Sequence, residues 1–254
     1  MNRITDIFHL KKPFIAYITA GDPNLQTTQK TILEMEKRGV DIIELGLPFS
    51  DSIADGPVIQ ASHLRAIEAG TNLEKILNMV GHLRKKTRIP IIFMGSYHLF
   101  YTYGLEKTIQ RCKEVYVDGL LAPDLPAEEG EAFSDLCFTN QINSIFLAST
   151  TTSEERLQKI GELSRGFIYL ISRAGITGEQ TELAKGLKEK INQIRQITGK
   201  PVAVGFGIST PNHVKNIAKI ADGVIVGSSI VKYLKTNPEA ALKWTEKLLK
   251  GMPK

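Results

Sequence analysis

Short apolar runs alternate with stretches of helical periodicity from one end of this chain to the other. The runs are Phe14–Thr19, Val40–Glu44, Ile89–Met94, Val117–Ala122, Ser144–Leu147, Ile168–Ile171, Val202–Val204 and Gly223–Val226. Most are continuously apolar rather than alternating, which is the pattern of strands buried on both faces of a parallel sheet. Helical patterns lie near residues 25–37, 60–84, 104–114, 127–139, 153–164, 182–197, 211–220 and 238–250, behind a short amphipathic N-terminal helix. Eight βα units at about 30 residues each predict a closed (β/α)8 TIM barrel of the α/β class rather than an open sheet. Three junctions echo one another. Lys37-Arg-Gly-Val-Asp-Ile-Ile-Glu44, Val115-Tyr-Val-Asp-Gly-Leu-Leu121 and Ile220-Ala-Asp-Gly-Val-Ile-Val226 each end a helix, place an aspartate and begin an apolar strand. No composition shift or low-complexity linker divides the chain, so one domain over residues 1–254 is expected.

Composition narrows the function classes. Of the 254 residues 42% are apolar, ample for one large core. The net charge of +5 comes mostly from lysines spread over helical segments such as Lys185-Gly-Leu-Lys-Glu-Lys190. No arginine cluster or aromatic-interleaved basic stripe appears, so these lysines read as a solvated face and not as a nucleic-acid footprint. A mild positive field still favours an anionic substrate. Cys112 and Cys137 fall in helical patterns and outline neither a disulfide frame nor a metal site. Met1–Phe8 lacks the continuous apolar core of a signal peptide, and no apolar run is long enough to span a bilayer. A cytoplasmic protein without metal or membrane partner is the expectation.

In such a barrel the chemistry lies at the carboxyl ends of the strands. The candidate segments there are Thr19-Ala-Gly-Asp-Pro23, Glu44 with its loop, Asp124-Leu-Pro126, Ser172–Gly178, Gly205-Phe-Gly-Ile-Ser209 and Gly227-Ser-Ser229. Glu44 closes an apolar strand, and a carboxylate buried there needs a partner or a function. Asp51 and Asp55 follow among Ser50, Ser52, Gly56 and Pro57, where an aspartate commonly serves only to cap a turn or a helix. Two carboxylates facing across a site are also what paired proton transfer requires. Gly205–Ser209 and Gly227–Ser229 follow the seventh and eighth strands, where many barrels hold phosphate on backbone amides. The glycine-containing stretch after the sixth strand has the length of a lid.

Taken together, these segments resemble the tryptophan synthase α subunit family along essentially the whole chain. Phe14-Ile-Ala-Tyr-Ile-Thr-Ala-Gly-Asp-Pro23 is similar to that family's first strand, and Glu44-Leu-Gly-Leu-Pro-Phe-Ser-Asp-Ser-Ile-Ala-Asp-Gly-Pro57 to its signature. Tyr169-Leu-Ile-Ser-Arg-Ala-Gly-Ile-Thr-Gly178 resembles its sixth strand and lid; Gly205–Ser209 and Ala221–Ser228 resemble its phosphate site. The resemblance implies cleavage of indole-3-glycerol phosphate without metal or cofactor. It places the catalytic carboxylates on Glu44 and Asp55, with Glu44 moving protons and Asp55 accepting a hydrogen bond from the indole N–H. Tyr17, Leu121, Tyr169 and Ile225 fall on indole-pocket positions, though such residues serve equally as barrel core. Thr177 and Gly178 fall on the lid, and Phe206, Gly207, Gly227 and Ser228 on the phosphate cradle. The implied assembly is an α–β–β–α complex in which indole passes to a pyridoxal-phosphate β subunit, docked near residues 48–58 and 124–129.

Three departures from the family pattern stand out. Ser52 replaces a usual proline, which implies a looser loop. His98, within Gly95-Ser-Tyr-His-Leu99, replaces an asparagine and reads as an interface or surface residue. Pro123 precedes Asp124 where a small residue is usual. Other phosphate-binding barrels, such as sugar-phosphate epimerases and phosphoribosyl isomerases, share the phosphate end but lack the loop after Glu44. A non-catalytic scaffold has no chemical reason to keep both acids.

Overall fold

The apolar runs form the staves of a parallel barrel in the computed structural model, which describes residues 2–52, 55–172, 181–205, 207–235 and 237–253, the side chains of 181–185 excepted. The strands are β1 (Phe14–Thr19), β2 (Ile42–Gly46), β3 (Ile91–Met94), β4 (Gly119–Leu121), β5 (Asn143–Ile145), β6 (Leu147–Ser149), β7 (Ile168–Ile171), β8 (Val202–Gly205) and β9 (Gly223–Val226). They lie in the order β5-β4-β3-β2-β1-β9-β8-β7-β6. The fifth run, expected as one strand over Ser144–Leu147, is therefore divided. β5 pairs with β4 and β6 with β7, and only Phe146 separates the halves. The Phe146 carbonyl accepts the Tyr169 N–H at 3.2 Å, so one strand passes its ladder from one neighbour to the other and the ring closes.

Twelve helices surround the strands among the described residues: α1 (Arg3–Leu10), α2 (Leu25–Lys37), α3 (Pro57–Glu68), α4 (Leu73–Leu83), α5 (Tyr97–Tyr103), α6 (Leu105–Glu114), α7 (Glu131–Thr139), α8 (Glu154–Leu163), α9 (Thr181–Thr198), α10 (Pro211–Ile220), α11 (Ser228–Leu234) and α12 (Pro238–Leu249). The pattern over 60–84, read as one helix, is two. Gly70 takes φ +73° after α3, and the Asn72 side chain accepts the Lys75 N–H to start α4. Residues 127–139 begin as a 3-10 turn, Ala127–Glu129, before α7. The short helices α5 and α11 follow strand ends directly and were not in the periodic pattern, because seven residues are too few to establish one.

Side chains alternate along each strand between two apolar layers. Ile15, Ile42, Ile92, Leu121, Ile145, Tyr169, Ala203 and Ile225 fill the barrel interior. Phe14, Ala16, Ile18, Ile43, Leu45 and Phe93 face the helices instead. Helix α1 stoppers the amino-terminal end. Ile4 is fully buried there, and the Phe8 and Phe167 rings lie 5.0 Å apart. Burying a side chain such as Ile4 stabilises by about 2–3 kcal/mol.

The echoed aspartates have one structural job, also at that end. Asp41, Asp118 and Asp222 each precede a strand and accept the first N–H of the neighbouring strand, from Phe14, Ile91 and Val202, each at 2.8 Å. Each also meets a cation: Lys11 for Asp41, Arg3 and Arg84 for Asp118, Arg195 for Asp222. The repeat therefore satisfies orphan backbone donors and leaves the other rim free for chemistry.

Candidate active site

Parallel pairing of β1 with β2 puts Tyr17 and Glu44 at one level of the barrel. Glu44 was expected at the end of its strand and sits in its middle, because the ladder continues through Leu45 and Gly46 opposite Ile18 and Thr19. The carboxyl is only 2% exposed as a result. The Tyr17 phenol crosses above Gly46, where any Cβ would come within 2.0 Å of its hydroxyl oxygen. Tyr169 crosses Gly205 in the same way, 2.5 Å from where a Cβ would stand. Glycine at these two strand ends thus admits the two phenols that wall the site.

A cavity of about 140 Å³ opens between them. Of the twelve residues singled out from sequence, eight line it: Glu44, Asp55, Tyr17, Tyr169, Gly207, Ile225, Gly227 and Ser228. Leu121 sits within the interior apolar layer, with Ile145 and Ile92, and is not part of the cavity wall. Thr177, Gly178 and Phe206 lie outside the described residues. Ile208, within the Gly205–Ser209 segment, lines the cavity too, and so do Met94 and Ile59, which were missed because a lone apolar residue at a strand end or on a helix carries no sequence signal.

The two carboxyls experience different surroundings. Burial, reinforced by the charge of Asp55, pushes the Glu44 pKa up to about 8. Its Oε2 has no hydrogen-bond partner among the described residues. Burial also raises Asp55, but the Ser52 hydroxyl offsets part of that and leaves it at about 6. At neutral pH Glu44 therefore holds a proton while Asp55 is mostly ionised, a division set by environment and not by residue type. Burial drives Tyr17 and Tyr169 well above their ordinary values, so both phenols stay protonated.

Ser52 organises the turn that carries Asp55. Its carbonyl accepts the Asp55 N–H at 3.1 Å and the Gln60 side-chain amide at 3.2 Å. Neither loop aspartate caps α3, whose N-cap is Gly56 without a side-chain bond. Asp51 is exposed. Buried His63, on α3, was not singled out from sequence. Its Nε2 lies 3.0 Å from the Tyr17 hydroxyl, and its Nδ1 accepts the Phe49 N–H at 3.4 Å. Asp55 Oδ2 is 4.0 Å from Nδ1, but burial lowers the imidazole pKa, so at neutral pH this is no ion pair.

At the opposite wall, Gly207 adopts φ +74°, a conformation that favours glycine. Gly227 precedes α11 and its carbonyl accepts the N–H groups of Ile230 and Val231 at 2.8 and 3.1 Å. The N–H groups of Ser228 and Ser229, at the helix start, have no intrahelical acceptor, the arrangement that a helix start offers to an anion. A second cavity of about 410 Å³ shares Tyr17, Asp55 and Met94 with the first and runs outward past Phe49, His98 and Pro123. Asp124 braces this rim by accepting from the Ser96 hydroxyl at 2.6 Å and the Tyr97 N–H at 2.7 Å. His98 is exposed, with its ring 6.0 Å from that of Phe49.

Comparison with known proteins matches this architecture. The family model for the tryptophan synthase alpha chain covers residues 8–252. The alpha chain of Dehalococcoides mccartyi is 43% identical over 238 residues, covering 94% of this chain and 93% of that protein. That of Geotalea daltonii is 45% identical over 237 residues, covering 91% and 90%. The solved structure of tryptophan synthase subunit alpha from Legionella pneumophila superposes with a TM-score of 0.90 at 36% identity, covering 99% of this chain and 97% of that one. A chain from the tryptophan synthase α2β2 complex of Pyrococcus furiosus gives 0.86 at 37% identity, covering 94% and 96%. With the family model matching residues 8–252 and relatives 43% and 45% identical over more than nine-tenths of the chain, the chain belongs to the tryptophan synthase alpha chain family.

Proposed function

We propose that Glu44 and Asp55 divide the acid–base work of the alpha-chain reaction, the retro-aldol cleavage of indole-3-glycerol phosphate to indole and glyceraldehyde 3-phosphate in tryptophan biosynthesis. Glu44, protonated below about pH 8, gives its proton to indole C3. Positive charge then develops on the ring nitrogen, and the Asp55 carboxylate, ionised above about pH 6, accepts the N–H and stabilises it. The Glu44 carboxylate next takes the proton of the hydroxyl on the adjoining side-chain carbon. The bond from that carbon to C3 breaks, its electrons restore the aromatic ring, and the carbinol carbon becomes an aldehyde. Glu44 ends the cycle protonated, as it began, and no redox partner or cofactor enters the balance.

The remaining residues bind and orient. Tyr17, Tyr169 and Ile225 would sandwich the indole, and Leu121 would support them from the apolar layer inside the barrel. Gly207, Gly227 and Ser228 would hold the phosphate, joined by Phe206, while Thr177 and Gly178 would close over the substrate. The beta subunit is the partner, and the outer cavity beside residues 48–52 and 123–124 is the route we assign to departing indole. One domain spanning residues 1–254 carries all of this. Among the described residues no helix is long and apolar enough to cross a membrane, and the two buried free cysteines fit a reducing cytoplasm.

The observation that carries this reading is that two carboxyls line one cavity, Glu44 fully buried with an Oε2 unpartnered among the described residues and Asp55 less so beside Ser52. Its test is indole release from indole-3-glycerol phosphate, followed with and without the beta subunit. Cleavage that rises on adding the partner is expected; a chain inert in both conditions would overturn the reading.

A further inference from the structure

Helix α3 grips the end of β1 through three neighbouring polar pairs. Ser62 Oγ and Thr19 Oγ1 are 2.6 Å apart, and Arg65 holds the Asp22 carboxylate with bonds of 2.6 and 2.9 Å. The third, His63 to Tyr17, goes further, because the same imidazole also reaches back to the loop that precedes its own helix.

The hydrogen bonds fix its tautomer. The Phe49 N–H points at Nδ1, so Nδ1 accepts, the ring proton sits on Nε2, and Nε2–H donates to the Tyr17 oxygen. Tyr17 must then aim its own proton elsewhere, and Tyr17 lines the cavity together with Glu44 and Asp55. A buried histidine with both nitrogens satisfied is commonly plain core. Here both partners belong to the site: one is a wall of the substrate cavity, and the other is the backbone of the loop carrying Asp55.

We propose that His63 is a positioning residue that locks the Tyr17 hydroxyl and the Asp55-bearing loop into one arrangement around the indole ring. This rests on the role given to Asp55 above. The groups facing His63 are Tyr17 and Asp22 from β1 and the turn after it, and Asp55 and Asp51 from the loop. His98 and Asp124 face it across the outer cavity, and Arg65 on α3 already neutralises Asp22. Protonation in acid would place a hydrogen on Nδ1, expel the Phe49 N–H and draw in the Asp55 carboxylate, away from the indole N–H.

The experiment uses the complex with the beta subunit. Gln at position 63 can return a donor near Nε2 but does not titrate. His63→Ala should lower kcat for indole release about tenfold or more, with KM changing less than about threefold. His63→Gln should recover a substantial part of that loss and show a shallower acid limb in kcat/KM than the parent. Tyr17→Phe should cost little when added to His63→Ala, because the two act as one unit. Unchanged kcat in His63→Ala, or additive losses for the pair, would overturn the proposal. If His63→Ala does not fold, the same cycle between His63→Gln and Tyr17→Phe decides. Asp55→Asn separates the two readings: retained cleavage there removes the assigned role of Asp55, whereas lost cleavage beside fully active His63 variants defeats only this inference.

Discussion

Tyr17 and Glu44 are register partners on adjacent parallel strands, and both residues, 3% and 2% exposed, line one cavity. That pairing places a carboxyl where water cannot solvate its charge and where no described residue bonds its Oε2. Such a group keeps its proton until a substrate offers a place for it.

Replacing Glu44 by Gln should therefore lower the turnover of indole release by about 10²–10⁴-fold while the barrel stays folded. The isosteric amide can donate a hydrogen bond but cannot deliver a proton to carbon. Steady-state indole assays and circular dichroism on the same variant check this, and near-parental turnover would remove Glu44 from the chemistry.

The same substitution should raise stability, in a pH-dependent way. The folded pKa of Glu44 is raised from 4.5 to about 8, so between those values the folded chain keeps a proton that the unfolded chain has released. Stability then falls as pH climbs through that window, and the full cost, about 3–5 kcal/mol, is present above about pH 8. Glu44→Gln should melt close to the parent near pH 4.5 and well above it near pH 9. Thermal unfolding at the two pH values tests it, and an unchanged difference between them would show that the carboxyl is not desolvated.

Cleavage should follow a bell-shaped pH profile. An ionised Asp55 sets the acid limb near pH 6 and a protonated Glu44 the alkaline limb near pH 8, with both values belonging to the coupled pair. In kcat/KM for the substrate, a plateau continuing well beyond pH 9 would contradict the proton-donor role.

Ser228→Ala should raise KM more than it lowers kcat. The phosphate carries the same charge in ground and transition states, so a donor to it contributes uniform binding. A loss confined to kcat would place Ser228 elsewhere than in the anion seat.

At the opposite rim, Asp118→Ala should cost about 3 kcal/mol or more without altering the cavity. Its carboxylate, buried between Arg84 and Arg3, also accepts the Ile91 N–H, so removal strands two cations and a backbone donor. Chemical denaturation measures the loss; a change below about 1 kcal/mol would mean that water replaces the carboxylate freely.

How much was legible beforehand depended on whether the information was local. Continuous apolar runs and helical periodicity are properties of neighbouring residues, so the parallel barrel and the rim where the candidate residues gather could be read from the chain. Glu44, Asp55, Gly207, Gly227 and Ser228 could also be picked out as candidates, because each sits in a segment whose residue types have few structural uses, and the structure brings them to one cavity. The echoed aspartates were visible as a pattern, but their partners are cations remote in the sequence, such as Arg84 and Arg3 for Asp118, and the pattern could not name them.

The sequence alone determined the βα alternation, the carboxyls offered as candidates for proton transfer and the end of the barrel on which they lie. Tertiary structure decided the rest: the sharing of the fifth strand at Phe146, the depth of Glu44 within β2, the unequal affinity of two acids for protons, and the tie from His63 to Tyr17 and Phe49. The reason is electrostatic as much as geometric. A carboxyl's pKa follows from how completely other segments exclude water and which charges they bring near, and both are set only when distant strands and loops close around it.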